Sequence, residues 1–363
     1  MTSTLGQHTD VSAQKIAQDR GASFVATGAS QTRAKRIGDR DKTAARLLRA
    51  AVERSYDAEV DIDWDEPWLE EKLFYPPHRL TLYGTRIWDK LSPEQRVELG
   101  KHEMVRVFSF GILVEGVLSV MLYRNIADGT LVDDSTRYML TEIGDETRHS
   151  IMFSRAVNKI GVEPTLFPPF VTKAVMGVIS LLPLGAWSFG WTLLFEEVLD
   201  RLQREAVPDE EIQPHLRQVF KIHVLEEARH ITFAREELVR SYQAANRVRQ
   251  GLDRVLIAAA TALVAPLTFW PGLYRRAIGM SAFRGFLAVQ LGRNYSENVQ
   301  FMCEPMVRFF HEAGLVRGWL TTRIWRLARA LPDDIYEDVV GRPRKERTPS
   351  LLGKAVRRLV GAA

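Results

Sequence analysis

Hydrophobic residues recur every three or four positions along much of the chain, which is the spacing of amphipathic α-helices. The pattern predicts helices over about 41–56, 92–125, 133–160 and 214–248. Ser92-Pro93-Glu94-Gln95 is typical of a helix start, because serine can cap the helix, proline fits its first turn and glutamine can close a capping box. The sequence therefore predicts an all-α fold.

Two long runs, residues 174–195 and 255–274, contain no charged side chain. Either run is long enough to span a bilayer. Pro183 and Pro266 interrupt them, however, and the first run leads directly into Glu196 and Glu197. We therefore predict that both are helices buried on all sides in a large helical domain, with membrane insertion as the alternative.

The positive charge is concentrated at the C-terminal end. The formal net charge is +4, but residues 342–363 carry seven basic side chains and one acidic one, so the remainder sums to −2. This distribution gives no support to a nucleic-acid partner. We predict a flexible polar arm over 1–40, a single helical domain over 41–340 and a flexible basic tail over 341–363. Contact of the tail with a membrane or an acidic partner is the alternative.

Cysteine usage and the N-terminal sequence bear on the compartment. Cys303 is the only cysteine, which excludes internal disulfides and clusters of thiolate ligands and fits a reducing cytosol. The first residues show no apolar core followed by a small-residue cleavage site. We therefore predict a cytoplasmic protein.

Acidic and histidine residues interrupt the apolar stripes in a repeated pattern. Glu146 and His149 form one Glu-x-x-His element, and Glu227 and His230 form a second, with His223 four residues before Glu227. Positions three, four and seven apart share one face of a helix. One such element is weak evidence, but a matching copy makes chance a poor explanation. Glu142 shares the face of the first element.

A four-helix metal bundle also needs a single glutamate from each of two other helices. Glu115 lies in an apolar stripe, where a carboxylate is costly to bury unless it is paired or binds a metal. In the third helix we choose Glu196 over Glu197, because its face carries less charge. Glu226 lies off the histidine face and is predicted to be solvated or to support a ligand. Arg148 and Arg229 are either surface charges or residues that hold the carboxylates.

These residues predict a carboxylate-bridged dinuclear metal site. Carboxylates and imidazoles without thiolates favour iron or manganese over structural zinc or an iron–sulfur cluster. Two Fe²⁺ ions could together activate O2 for hydroxylation, desaturation or N-oxygenation. We assign no catalytic residue beyond the ligands and no other cofactor-binding residue. The predicted ligands are Glu115, Glu146, His149, Glu196, His223, Glu227 and His230.

The two motifs and the added histidine resemble the p-aminobenzoate N-oxygenase family of ferritin-like di-iron proteins, over roughly residues 60–315. The resemblance implies a dimer built on a ferritin-like four-helix bundle with additional helices. It also implies two iron ions (Fe²⁺/Fe³⁺), O2 as co-substrate and an external electron donor such as a ferredoxin- or flavin-type reductase. The substrate would be a small amine, oxidised to a hydroxylamine, nitroso or nitro product.

The sequence leaves two other functions open. The same site could hydroxylate or desaturate carbon in a lipid-like or carrier-bound substrate, or the chain could bind iron without catalysis. A charged group near the metals would favour an acid such as an aminobenzoate. A long apolar tunnel would favour an acyl chain.

Overall fold

The computed structural model describes residues 37–164, 166–267, 272–341 and 356. The predicted N-terminal arm up to residue 36 and all but two residues of the predicted basic tail lie outside these ranges. Most of the described residues are helical. The longest connection, residues 62–92, consists mainly of turns and loops and contains two short 3₁₀ helices at Pro77–Arg79 and Trp88–Lys90. The α-helices are α1 Arg40–Glu53, α2 Ala58–Asp61, α3 Pro93–Ala127, α4 Asp134–Ile160, α5 Pro169–Leu181, α6 Ala186–Ala206, α7 Pro214–Ala244, α8 Arg247–Leu267, α9 Gly272–Ile278, α10 Ala282–Leu291, α11 Arg293–Glu312, α12 Trp319–Leu327 and α13 Asp333–Val340.

Helices α3 and α4 form the first helix pair of the core. The predicted capping box opens α3: the Ser92 side chain accepts from the Gln95 N–H, and the Gln95 side chain accepts from the Ser92 N–H. The Asp133 carboxylate caps α4 by accepting from the Thr136 N–H over 2.7 Å. Because only a short loop separates the two helices, they run antiparallel and pack along their length.

Helices α6 and α7 form the second pair, and α5 lies in the crossover between the pairs. Helix α4 faces α7 across the core, and α3 also contacts α6. This is a ferritin-like four-helix bundle, as the sequence predicts. Gly190 allows α8 to pack closely on α6, because a Cβ at this position would lie 2.5 Å from Cδ1 of Ile257.

The remaining helices enlarge the bundle. Helix α1 packs on α4 and α7, whereas α8 and α11 pack on α6 and α9 packs on α3. Hydrophobic contacts continue from the bundle into these outer layers through buried side chains such as Trp187, Tyr274 and Phe310. One contiguous hydrophobic core therefore surrounds the residues that the sequence marks as metal ligands.

The prediction that residues 174–195 form a helix buried on all sides is wrong. The run divides into α5 and the start of α6 at residues 182–185, and Ile179 is the only buried residue of α5. Leu181 is 83% exposed, because α5 packs against α3 along one side. With 13 residues, α5 is also shorter than a membrane span requires.

Among the described helices, only α3 has both the length and the hydropathy of a membrane span. Within its apolar stretch, 56% of the residues are buried inside the chain. Helices at the centre of large bundles show the same composition, and α3 carries Glu115 into the core.

Candidate metal centre

Four helices bring all seven predicted ligands together at the centre of the bundle. Helix α3 contributes Glu115, α4 contributes Glu146 and His149, and α6 contributes Glu196. Helix α7 contributes the other three from successive turns of one face. Each of the seven residues is at most 2% exposed. The helical spacing in the sequence therefore does place these residues on inward faces.

The candidate ligand atoms fall into two groups, and within each group they lie within 4.8 Å of one another. Each group combines carboxylate oxygens with imidazole nitrogen, which suits iron or manganese. The first group consists of Glu115, His149, His223 and Glu227. The second group consists of Glu142, Glu146, Glu196 and His230.

Glu146 and Glu227 connect the two groups. Oε2 of Glu146 lies 3.1 Å from Nδ1 of His149, and its Oε1 lies 3.2 Å from Nδ1 of His230. Oε1 and Oε2 of Glu227 lie 3.2 and 3.3 Å from the same two nitrogens. Each carboxylate thus contacts a histidine of both groups, which is the placement expected of residues that bridge two metal ions.

Outward-facing hydrogen bonds orient the histidines of both Glu-x-x-His elements. Nε2 of His149 lies 2.9 Å from Oε2 of Glu226, and Nε2 of His230 lies 3.2 Å from Oδ2 of Asp145. An imidazole that donates from Nε2 to a carboxylate keeps Nδ1 free of a proton to bind a metal. The solvated alternative for Glu226 is therefore wrong: the side chain is 1% exposed and supports His149.

Asp145 is held in turn by two arginines. Arg148 forms a short hydrogen bond to its Oδ1, and Nη2 of Arg229 lies 3.0 Å from its Oδ2. Burial alone would raise the pKa of Asp145, but hydrogen bonding to His230 and the positive charges nearby lower it to about 2. Arg148 and Arg229 were predicted to be either surface charges or residues that hold the carboxylates. Their contacts with Asp145 favour the second role.

Several oxygens of the candidate ligands are buried without a hydrogen-bond partner among the described residues. They include both oxygens of Glu196, both oxygens of Glu227 and Oε2 of Glu142. Burial and the neighbouring negative charges raise the pKa of Glu115 and Glu196 well above the usual range, as expected where carboxylates converge without a cation. Burial lowers the pKa of His223 to about 3, so its ring is neutral and able to bind a metal. The donors fit a pair of divalent cations.

The structure also separates Glu196 from Glu197. Glu196 lies in the second group, whereas Glu197 accepts from Nε and Nη2 of Arg235 over 2.7 and 2.6 Å. The Glu197 carboxylate is therefore engaged by an arginine, whereas the Glu196 carboxylate lies among the candidate ligands, as the choice of Glu196 as a ligand requires.

Glu142 was not among the predicted ligands, although its carboxylate lies in the second group. Burial raises its pKa to about 8 despite the nearby His230. The signal was present in the sequence: Glu142 is one turn before Glu146 on an otherwise apolar face. The predicted ligands were chosen by the Glu-x-x-His spacing. Glu142 lies four residues before Glu146 and is not part of that motif.

Comparison with known proteins agrees with this geometry. A family model described as p-aminobenzoate N-oxygenase AurF matches residues 38–314. The chain belongs to the p-aminobenzoate N-oxygenase family. Similar sequences include uncharacterised proteins of Mycobacterium bovis and of two strains of Mycobacterium tuberculosis. Each is 29% identical over 209 residues, a match that covers 53% of this chain and 59% of the relative.

In this member of the p-aminobenzoate N-oxygenase family, an apolar cavity lies beside the ligand cluster. Its walls come from α3, α6, α7, α8 and α11 and from the segment before α3, and it holds about 1170 Å³ of space, counting its open mouth. An aromatic layer joins it to the cluster. Phe220 in the cavity wall packs on Phe108, Phe108 stacks on Phe153 at 5.2 Å, and Phe153 lies 4.9 Å from the His223 ring.

Proposed function

We propose that this chain is a di-iron oxygenase that uses O2 and electrons from an external donor to oxidise the nitrogen of a small amine. The proposal depends on one observation: two adjacent groups of buried carboxylates and imidazoles, each contacted by both Glu146 and Glu227. Family membership supports the same chemistry. Two bound irons would supply the electrons that activate O2 and the Lewis acidity that orients it.

The chain's own residues would prepare the site for these ions. Glu226 and Asp145 fix the ring orientation of His149 and His230, so that both present Nδ1 to the metals. His223 presents Nε2, which lies 3.3 Å from Oε1 of Glu227. The phenyl ring of Phe153 lies 4.9 Å from the His223 ring and would help to keep water away from that side.

The test combines metal analysis with turnover. We expect the purified protein to contain about two irons per chain and, once reduced, to consume O2 in proportion to an added amine, with N-oxygenated products detected by mass spectrometry. Glu227→Ala should lose both iron and activity, whereas Glu211→Ala, on an exposed loop, should keep both. Bound zinc or manganese would refute the di-iron assignment. Iron that never reacts with O2 would favour the non-catalytic alternative.

One observation favours a second function, oxidation of carbon. The cavity beside the cluster is lined mainly by aliphatic and aromatic side chains, as a site for an acyl chain would be. Mass spectrometry separates the two functions, because hydroxylated or desaturated carbon products from an alkyl substrate would replace N-oxygenated amines.

A further inference from the structure

The cavity wall begins one turn from the metal ligands. Leu199 and Gln203 line the cavity and lie three and seven residues after Glu196, on the same face of α6. Phe220 likewise lies three residues before His223 on α7. At the helical rise of 1.5 Å per residue, the backbone at Gln203 is about 10 Å from that at Glu196. A molecule in this cavity could therefore reach the cluster with one end.

Gln203 offers the cavity an unused amide. Its side chain is 2% exposed, and neither Nε2 nor Oε1 has a hydrogen-bond partner among the described residues. A buried amide without partners costs free energy, so native proteins rarely leave one unsatisfied. The amide has an NH2 group that donates and a carbonyl oxygen that accepts. It therefore complements a ligand group that both accepts and donates, such as a carboxamide or a hydroxyl.

The one cationic side chain in the described cavity wall is already neutralised. Nε and Nη2 of Arg79 donate to Glu205 over 2.6 and 2.9 Å, and Nη1 donates to Asn298 Oδ1 over 2.8 Å. The guanidinium carbon also lies 3.5 Å from the centre of the Phe301 ring. A bidentate pair of this kind satisfies the charge of arginine and leaves little for a ligand carboxylate.

The acidic side chain in the wall, Glu103, adds no charge to the cavity. Glu103 is 3% exposed, and burial raises its pKa to about 8, although hydrogen bonds from the N–H and hydroxyl of Thr81 oppose the shift. Glu103 therefore carries its proton at neutral pH. With Arg79 paired and Glu103 protonated, the cavity presents no net charge to an ionic substrate.

We propose that this cavity binds an elongated, uncharged and mainly apolar substrate whose neutral polar group pairs with the Gln203 amide, about 10 Å from the reacting end. The inference deepens the proposed function and rests on it, since it identifies the class of substrate that the oxygenase would act on. A free carboxylate at the far end, as in an aminobenzoate, does not fit. An alkyl chain and a substituted aryl amine share the required chemistry.

Two matched pairs of ligands test the inference by calorimetry on the purified, metal-containing protein without reductant. The pairs are octanamide with octanoate, and p-aminobenzamide with p-aminobenzoate. We expect each amide to bind at least ~10-fold more tightly than its acid, because the acid must bury an unpaired charge. Acids that bind as tightly as their amides would overturn the inference, and so would a lack of binding by all four compounds. If octanamide binds more tightly than p-aminobenzamide, the occupant is an alkyl chain. If p-aminobenzamide binds more tightly than octanamide, the occupant is an aryl group. Both results support the inference.

Three variants locate the binding in the cavity. Gln203→Leu should weaken amide binding about 10-fold, whereas Gln218→Leu, whose amide reaches the Asp61 carbonyl elsewhere, should not. Glu205→Gln removes the charge that neutralises Arg79 and should strengthen octanoate binding about 10-fold. Unchanged amide affinity in Gln203→Leu together with unchanged octanoate affinity in Glu205→Gln would overturn the assignment.

Binding without turnover keeps this inference separate from the proposed function. A protein that binds the amides but never consumes O2 would refute the oxygenase and leave the binding site. A protein that binds p-aminobenzoate more tightly than its amide and N-oxygenates it would refute the inference and leave the oxygenase.

Discussion

His149 and Glu226 are joined by a hydrogen bond of 2.9 Å between the ring Nε2 and Oε2, on the side of the imidazole that faces away from the cluster of candidate ligands. The two residues lie on different core helices, α4 and α7, and both are 1% exposed. His230 and Asp145 form the reciprocal pair, with the histidine on α7 and the carboxylate on α4. Each Glu-x-x-His helix therefore carries the residue that orients the histidine of the other.

This relationship predicts a metal-binding defect in Glu226→Ala. Without its acceptor, the His149 ring loses the contact that fixes Nδ1 toward the cluster, and we expect iron affinity to fall by roughly 10–100-fold. Glu226→Gln should recover part of the affinity, because an amide oxygen can still accept from Nε2. Competition with a chelator measures both variants. Wild-type affinity in Glu226→Ala would show that the hydrogen bond does not support the site.

Glu142 provides a second prediction, because its carboxylate lies among the atoms of the second group. We expect Glu142→Gln to weaken iron binding at least ~10-fold. Glu103→Gln is the matched control: it removes another buried carboxyl whose pKa is also raised to about 8, outside the cluster. Equal iron content and affinity in the two variants would exclude Glu142 as a ligand.

Substitution of the two adjacent glutamates of α6, Glu196 and Glu197, should have different effects on iron binding and on stability. Glu196→Gln replaces a carboxylate whose oxygens accept no hydrogen bond among the described residues, and it should release iron while the fold is kept. Glu197→Gln should retain iron but lower the free energy of unfolding by roughly 3 kcal/mol, because it removes the carboxylate that Arg235 binds through two nitrogens. Metal analysis and urea denaturation distinguish these outcomes. Iron loss in Glu197→Gln with iron retained in Glu196→Gln would identify Glu197, and not Glu196, as the ligand.

Glu103 predicts how stability depends on pH. Its pKa rises from 4.5 to about 8 on folding, so between these values the folded chain holds a proton that the unfolded chain has released. Stability contributed by this group is therefore full below about pH 4.5 and declines as pH approaches 8, by an amount on the order of 4 kcal/mol. Glu103→Gln should flatten that decline. Parallel urea midpoints for both proteins between pH 5 and 8.5 would contradict this prediction.

Sequence periodicity predicted the core helices closely, because buried helix faces impose a strict spacing. The boundaries expected for α4, about 133–160, agree with Asp134–Ile160, and the Ser92 cap opens α3. The wrong prediction for residues 174–195, which include most of α5, rested on the absence of charge and not on periodicity. An apolar run predicts burial only if neighbours cover it on all sides, and that depends on contacts remote in the chain.

The inward position of the proposed ligands could be predicted for the same reason, but their surroundings could not. The pairing of Arg79 with Glu205 joins residues 126 positions apart, and helical spacing carries no information about such contacts. The choice between Glu196 and Glu197 depended on a small difference in the charge of two faces. Only the structure gives Glu197 a partner, Arg235, 38 positions away.

The distribution of the clustered residues along the chain also has a consequence for biosynthesis. A nascent chain that has emerged as far as α6 has made Glu115, Glu142, Glu146, His149 and Glu196, yet it lacks every contribution of α7. Glu227, which contacts histidines on α4 and α7, and the supporting Glu226 are still to be translated. Under the proposed function, metal capture by the complete donor set must therefore wait until His230 has left the ribosome. Until then, the carboxylates of α3, α4 and α6 lack every contact that α7 supplies.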